Sequence, residues 1–298
     1  MKKNTNQVRK LGMVSSPTGF TWANVKAELR AIWESNVKQW KIELAYPLSF
    51  IRQCISPVFF LLPYLIYGLA LMGGGYSPNL QALVGTGDIV TFIFTGYIIM
   101  GFISTAVFAM GFSIRNEQWF GTLESIYITP TNRLSIVLGT ALHSTVHQGI
   151  SVIVEFSIIY AIFGLGLKMT GILPALVIFA LMMFALYGFG IVISALSLLL
   201  KEGYIVSEGL ASVMTILSPV AYPLLVLPEV ARNASFIFPT APGLIGIRTF
   251  LLQDYRPEVL GNMFLALLVL DAAWILFGSL IFRLADHYVR KRGSLEKY

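Results

Sequence analysis

Six apolar runs of about twenty residues constrain this 298-residue chain more than any other feature. A helix needs about 20 mostly apolar residues to cross the ~30 Å hydrocarbon of a bilayer. The runs fall at 54–72, 89–112, 134–163, 172–200, 204–227 and 259–282. Breakers mark their edges: Gly73-Gly74-Gly75 after the first, Gly85-Thr86-Gly87-Asp88 before the second, Lys201-Glu202-Gly203 after the fourth. Composition agrees, with 56% hydrophobic residues and 12% charged, where a soluble domain carries roughly 25% charged. So little charge cannot coat a water-exposed body, and the apolar excess must face lipid. The expectation is an all-α integral membrane protein with six transmembrane helices.

Prolines 219, 223, 228, 239, 242 and 257 break the late part of the chain. They predict short, partly re-entrant helices over an outer segment 228–257, because non-helical backbone at membrane depth survives only against protein. Lysines and arginines set the orientation. With the N-terminus inside, 17 of the 21 fall on the cytoplasmic side, and Lys168, Arg232, Arg248 and Arg256 are left outside. The positive-inside rule then puts both termini in the cytoplasm of a multi-pass cell-membrane protein. The net charge of +6 is explained by topology, which removes the case for nucleic-acid binding. The first fifty residues hold no uninterrupted apolar core, so the first span is expected to direct insertion itself.

Residues 1–53 are nevertheless patterned. Trp22, Val25, Leu29, Ile32, Trp33, Val37, Trp40 and Leu44 recur at three- and four-residue spacing, with Lys26, Glu28, Arg30, Glu34, Lys38 and Lys41 between them. That spacing predicts an amphipathic helix, placed by its tryptophans at the headgroup layer. The expected organisation is this cytoplasmic helix in 1–53, a membrane domain over 54–284 and a basic cytoplasmic tail over 285–298.

No catalytic constellation is legible. A P-loop needs a lysine after a glycine, and none of the lysines follows one. His143 and His147 stand at i,i+4, but Ser144 replaces the catalytic Glu of H-E-x-x-H and no third ligand is evident, so no metal is expected. The single cysteine, Cys54, excludes a disulfide framework. The chain is read as no enzyme, binding no cofactor of its own.

The loop 113–133 is more specific. It reads Arg115-Asn116-Glu117-Gln118-Trp119-Phe120-Gly121-Thr122-Leu123-Glu124-Ser125-Ile126-Tyr127-Ile128-Thr129-Pro130-Thr131-Asn132-Arg133, and Val137-Leu138-Gly139 follows. A Glu, then Gly-Thr-Leu-Glu, then Thr-Pro, a basic residue and an early glycine in the next helix closely resemble the signature of the ABC-2 family. Its members are permease subunits of ATP-binding-cassette exporters, and this spacing is similar to the daunorubicin-resistance type and related drug or lipid exporters. The resemblance implies a coupling helix carrying Glu117, Gly121, Thr122, Leu123, Glu124 and Pro130, docked on a separate ATPase. It also implies two permease copies, as a homodimer, above two ATPase subunits that hold ATP and magnesium. Seven residues apart, Glu117 and Glu124 are expected on one helix face, pairing with a partner or with the N-terminal helix. Gly121 between them is expected to admit a close backbone, and Pro130 to end the helix.

The resemblance also places the second and fifth helices around the central cavity, which implies a translocation path at Phe94, Tyr97 and Phe102 on the second span, with lipid-facing packing as the other reading of each. His147 and Glu155 on the third span are expected as a polar wall, and Leu224 and Leu225 as an outer gate. The alternative is a secondary transporter driven by an ion gradient through Glu155, His147 and Asp271, because ionisable residues at membrane depth are functional candidates. Interhelical hydrogen bonding is the simpler role for the same residues. His147 and Asp271, each near mid-span, are expected to pair.

Overall fold

The structure is a computed structural model and describes residues 22–129, 131–200, 203–253 and 257–292. Among these residues there is no strand, only an isolated bridge between Tyr76 and Asp88. The helices are α1 Trp22–Leu44, α2 Pro47–Met72, α3 Pro78–Val84, α4 Ile89–Trp119, α5 Leu123–Tyr127, α6 Arg133–Phe163, α7 Ile172–Leu200, α8 Gly203–Leu217, α9 Glu229–Ser235, α10 Thr240–Leu252 and α11 Pro257–Arg292. One turn of α4, Thr105–Ala109, is π-helical.

Among the described residues, five helices are long and apolar enough to cross a membrane: α2, α4, α6, α7 and α11. The fold is therefore the expected all-α membrane protein, but the fifth crossing differs from its sequence reading. A continuous span over 204–227 was expected, and α8 stops at Leu217. Its 15 residues rise only about 22 Å at 1.5 Å each. Pro219 is the cause, since it cannot donate a backbone hydrogen bond and drives the preceding residue out of the helical region. After the break the chain forms α9 and α10, bent by 85° to each other, as a broken span or re-entrant pair.

Arg248 of α10 holds this break together. It is 3% exposed, and its guanidinium donates to the carbonyls of Pro219, Val220 (2.7 Å) and Phe92 (2.8 Å). It also reaches the Thr95 hydroxyl at 3.3 Å and lies 3.6 Å over the Phe92 ring. The sequence reading assigned Arg248 to the outer surface. In the fold it supplies the donors that a non-helical backbone inside a membrane protein requires. Gly96 makes the approach possible, because a Cβ there would lie 2.0 Å from the Val220 carbonyl oxygen.

The centre of the bundle is α4 against α7, with α10 packed beside them, around Ile99, Ile103, Met182, Leu186, Ile193 and Phe250. Outside that core α11 runs along α7, and Gly278 meets Gly188: a Cβ on Gly278 would fall 2.4 Å from the Gly188 carbonyl. Small residues at such crossings let membrane helices approach until their backbones touch. The apolar windows of α2, α6 and α11 remain mostly uncovered.

The spans are longer than a bilayer needs. α6 has 31 residues, α7 has 29 and α11 has 36, where about 20 suffice. Part of this surplus projects at the end where α4 hands over to α6. There Arg133 Nη1, at the start of α6, lies 2.6 Å from Asp286 Oδ1 near the end of α11. α1 lies along the first turns of α6, with Glu28 beside Asn132 and Ser135, and Glu43 beside His143 and His147.

Candidate functional site

At the projecting end, the loop between α4 and α6 is held at both of its flanks by α1. On the entry side, Lys38 Nζ donates to both oxygens of Glu117, at 2.6 and 2.5 Å. On the exit side, the Glu28 carboxylate accepts from the Asn132 amide at 3.2 Å and from the Ser135 hydroxyl at 2.5 Å. The two helices come so close that a Cβ on Gly139 would lie 2.7 Å from the Ile32 carbonyl. The early glycine of the loop signature is thus where α1 rests on α6. Some polar residues of α1 turn inward, Asn36 most completely at 4% exposed, whereas Leu29 and Trp33 each stay 59% exposed.

Within the loop, Gly121 sets the chain direction. Its φ is +68°, and no atom lies within 4 Å of a Cβ built there. The Thr122 amide donates to the Glu117 carbonyl at 2.9 Å and the Gly121 amide to that of Gln118 at 3.1 Å. These two bonds form a Schellman cap, in which a left-handed residue closes a helix C-terminus. Gly121 serves a positive φ, and one expectation is corrected here. Glu117 and Glu124 do not share a helix face, because the cap ends α4 and a separate helix, α5, begins at Leu123.

The signature residues accordingly divide by task. Glu117 is 3% exposed and faces inward, where the Thr122 hydroxyl also donates to it at 2.5 Å. Leu123 is 7% exposed and anchors the loop on a core of Ile114, Val137, Ala141, Ala195 and Phe282. Glu124 points outward in the first turn of α5. Around it stand Trp119, Phe120 and Ile128, exposed by 72, 74 and 87%. The result is a rigidly held knob with one free acidic group and an uncovered apolar surface. Pro130 lies outside the described residues.

The residues expected along the path do not converge on one site. Phe94 and Phe102 are buried in two different cores. Tyr97 does reach a cavity of about 220 Å³, which it lines with Tyr64, Met100, Ile216, Val220 and Tyr222. Leu224 and Leu225 lie in a 3₁₀ turn after the break, with Leu225 56% exposed. Glu155 is fully buried, and neither of its carboxylate oxygens has a hydrogen-bond partner among the described residues. The expected His147–Asp271 pair is absent: His147 Nε2 lies 3.1 Å from Glu43, while Asp271 on α11 lies against α7 near Ala185. Among the described residues no group of three His, Cys, Asp or Glu side chains is placed to hold a metal ion.

Lys38, Glu28 and Arg248 were not singled out from sequence. For the first two the only signal was their place on the polar face of the amphipathic helix.

A comparison with curated proteins gives no match. The family model described as ABC-2 type transporter matches residues 27–252. That interval takes in most of α1, the capped loop and the arginine-held break, and leaves out α11. The chain belongs to the ABC-2 type transporter family, and it is a multi-pass membrane permease of an ABC transporter.

Proposed function

We propose that this permease is the membrane part of an exporter, in which two copies of the chain form the pathway and two separate ATPase subunits dock beneath them. The observation that carries the reading is the knob 119–128: Glu124, Trp119, Phe120 and Ile128 are left uncovered while both flanks are bolted to α1. A surface held that stiffly can transmit a push. Closure of the ATPases would drive the knob against α4 and α6, which run unbroken from the loop into the membrane. ATP and magnesium would bind in the partner, in keeping with a sequence that has no P-loop lysine. Membrane association alone would leave Glu124 and its apolar neighbours without a role.

In this reading the knob faces the cytoplasm of the cell membrane, as do both termini. Enclosure of Arg248 in protein strengthens the charge asymmetry, since it leaves Lys168, Arg232 and Arg256 as the outer basic residues. The cargo is amphipathic, drug-like or lipid-linked. The cavity at Tyr64, Tyr97 and Tyr222 supports that class, with aromatic walls and hydroxyls between α2, α4 and the end of α8. The uncovered face of α2, with Phe59 67% and Phe60 68% exposed, fits a second copy.

Co-purification with the ATPase tests the docking surface. Glu124→Lys reverses the free charge, and Ile128→Asp places a charge in the apolar patch. Like-charge or unpaired contacts across an interface cost several kcal/mol, so each variant should weaken the complex at least about tenfold with an unchanged melting temperature. Undiminished complex formation by both would rule out this surface.

A further inference from the structure

Where α1 turns into α2, a second cavity opens beside a carboxylate that no lysine or arginine balances. Glu43 is the penultimate residue of α1. Its two oxygens lie 2.9 Å from His143 Nε2 and 3.1 Å from His147 Nε2. Those imidazoles are fixed by edge-on rings, Trp40 at 4.6 Å from His143 and Phe50 at 5.6 Å from His147. Among the described residues, the Lys and Arg side chains found in ion pairs belong to Glu34, Glu117 and Asp286, none to Glu43. Burial pushes the Glu43 carboxyl above its ordinary range, and His147 opposes the shift only in part. A charge in that state gains from a cation beside it.

The cavity has about 270 Å³ and is walled by Gln39, Ile42, Glu43, Tyr46, Ser49, Gln53 and His143. Its lining is mixed, and more polar than that of the tyrosine-lined cavity. Its depth in the membrane is fixed from two sides. The first apolar span begins at Pro47, four residues after Glu43. His143 is about ten residues into α6, which leaves the ~20 that hydrocarbon requires beyond it. The site therefore lies at the headgroup layer.

We propose that this cavity binds the headgroup of a zwitterionic membrane lipid that ends in a primary ammonium, as in phosphatidylethanolamine. The ammonium donates to Glu43 and to the side-chain oxygens of Gln39, Ser49 or Gln53. Arg52, exposed on the turn that carries Gln53, is the phosphate partner. Leu44, Leu48 and Ile51, exposed by 59, 80 and 51%, receive the acyl chains. A trimethylammonium head has no N–H to donate, and a glycerol head brings no cation, so the donor set discriminates among lipids. Because the headgroup touches α1 and α2 together, it braces the helix that holds the docking loop.

The test is thermal melting of the full chain in detergent micelles supplemented with phosphatidylethanolamine, phosphatidylcholine, phosphatidylglycerol or soluble phosphoethanolamine. The ethanolamine lipid should raise the midpoint by about 3 °C more than the other two lipids, a shift of the size expected from preferential binding to the folded state. Glu43→Gln, which keeps the shape and removes the charge, should fold normally and lose that excess. Arg52→Ala should lose part of it. Equal stabilisation by all three lipids, or an excess that survives in Glu43→Gln, would overturn the proposal. Full stabilisation by soluble phosphoethanolamine would overturn its lipid half, since the exposed leucines would then contribute nothing.

Discussion

Lys38 and Glu117 show how much one contact can carry at the scale of the residue. Glu117 is nearly fully enclosed while Lys38 is 41% exposed, so the pair belongs between the surface and buried regimes. Breaking it by Glu117→Ala strands an ammonium that still reaches water, which points to a loss of about 1–3 kcal/mol. A double-mutant cycle on Lys38→Met and Glu117→Gln, read by thermal unfolding, should return a coupling energy in that range. Additive variants would mean that the bond does not hold the loop. Arg248 is the harsher case. Arg248→Met would remove the guanidinium donors of the Phe92, Pro219 and Val220 carbonyls, of which Phe92 alone keeps the Thr95 hydroxyl. Breaking buried charged networks costs about 3–5 kcal/mol, and Arg248→Lys should restore little, because an ammonium cannot span three carbonyls as a planar fork does. The measurement is the fraction of folded, monodisperse protein recovered. Wild-type recovery for Arg248→Met would show that the break is held by something else. Sequence legibility was uneven at this scale. The signature residues 117–124 could be found by their pattern, but Arg248 read as an outer charge because a lysine or arginine among prolines looks like loop. Glu43 stayed invisible beside His143 and His147, since one hundred residues separate partners that meet only through packing.

Between residues and the whole, the elements explain why the sequence reading erred where it did. Apolar runs report burial in lipid or protein without reporting backbone shape, so 204–227 read as one helix although Pro219 ends it. Periodicity on α1 was legible, yet Glu28 and Glu43 turn toward protein while Lys26, Arg30, Glu34 and Lys41 stay exposed, because α6 offers Asn132, Ser135 and two histidines along one line. Glycine meaning also depends on the element. Gly121 is a cap, Gly139 a seat for α1, and Gly278 a crossing point with α7. The last makes a sharp prediction. Gly278→Leu must push α11 away from α7 across their tightest crossing, whereas Gly261→Leu, on the same helix with no atom within 4 Å of its Cβ, should be tolerated. Overpacking of this kind typically costs about 1–3 kcal/mol. Thermal unfolding in detergent should separate the two variants, and equal midpoints would contradict the packing.

On the scale of the whole molecule, an enclosed pair, α4 and α7, is surrounded by helices whose outer faces are largely bare. Those bare faces are open to lipid and, in the proposed assembly, to the second copy. Its sidedness can be read by labelling. With Cys54→Ser as background, Ser125→Cys should react only after the membrane is permeabilised and Asn233→Cys should react in intact cells, both being exposed in the fold. Reaction of Ser125→Cys from outside would invert the topology. The most direct measurement of the central claim is flux of an amphipathic probe in proteoliposomes containing the permease, with and without its ATPase and ATP. The account predicts no outward movement from the permease alone, ATP-dependent movement with the partner, and loss of that movement in Glu124→Lys despite a native melting temperature. Transport by the isolated permease, driven by a proton gradient and abolished by Glu155→Gln, would contradict it, because the energy would then enter at the buried carboxylate of α6 and not at the loop.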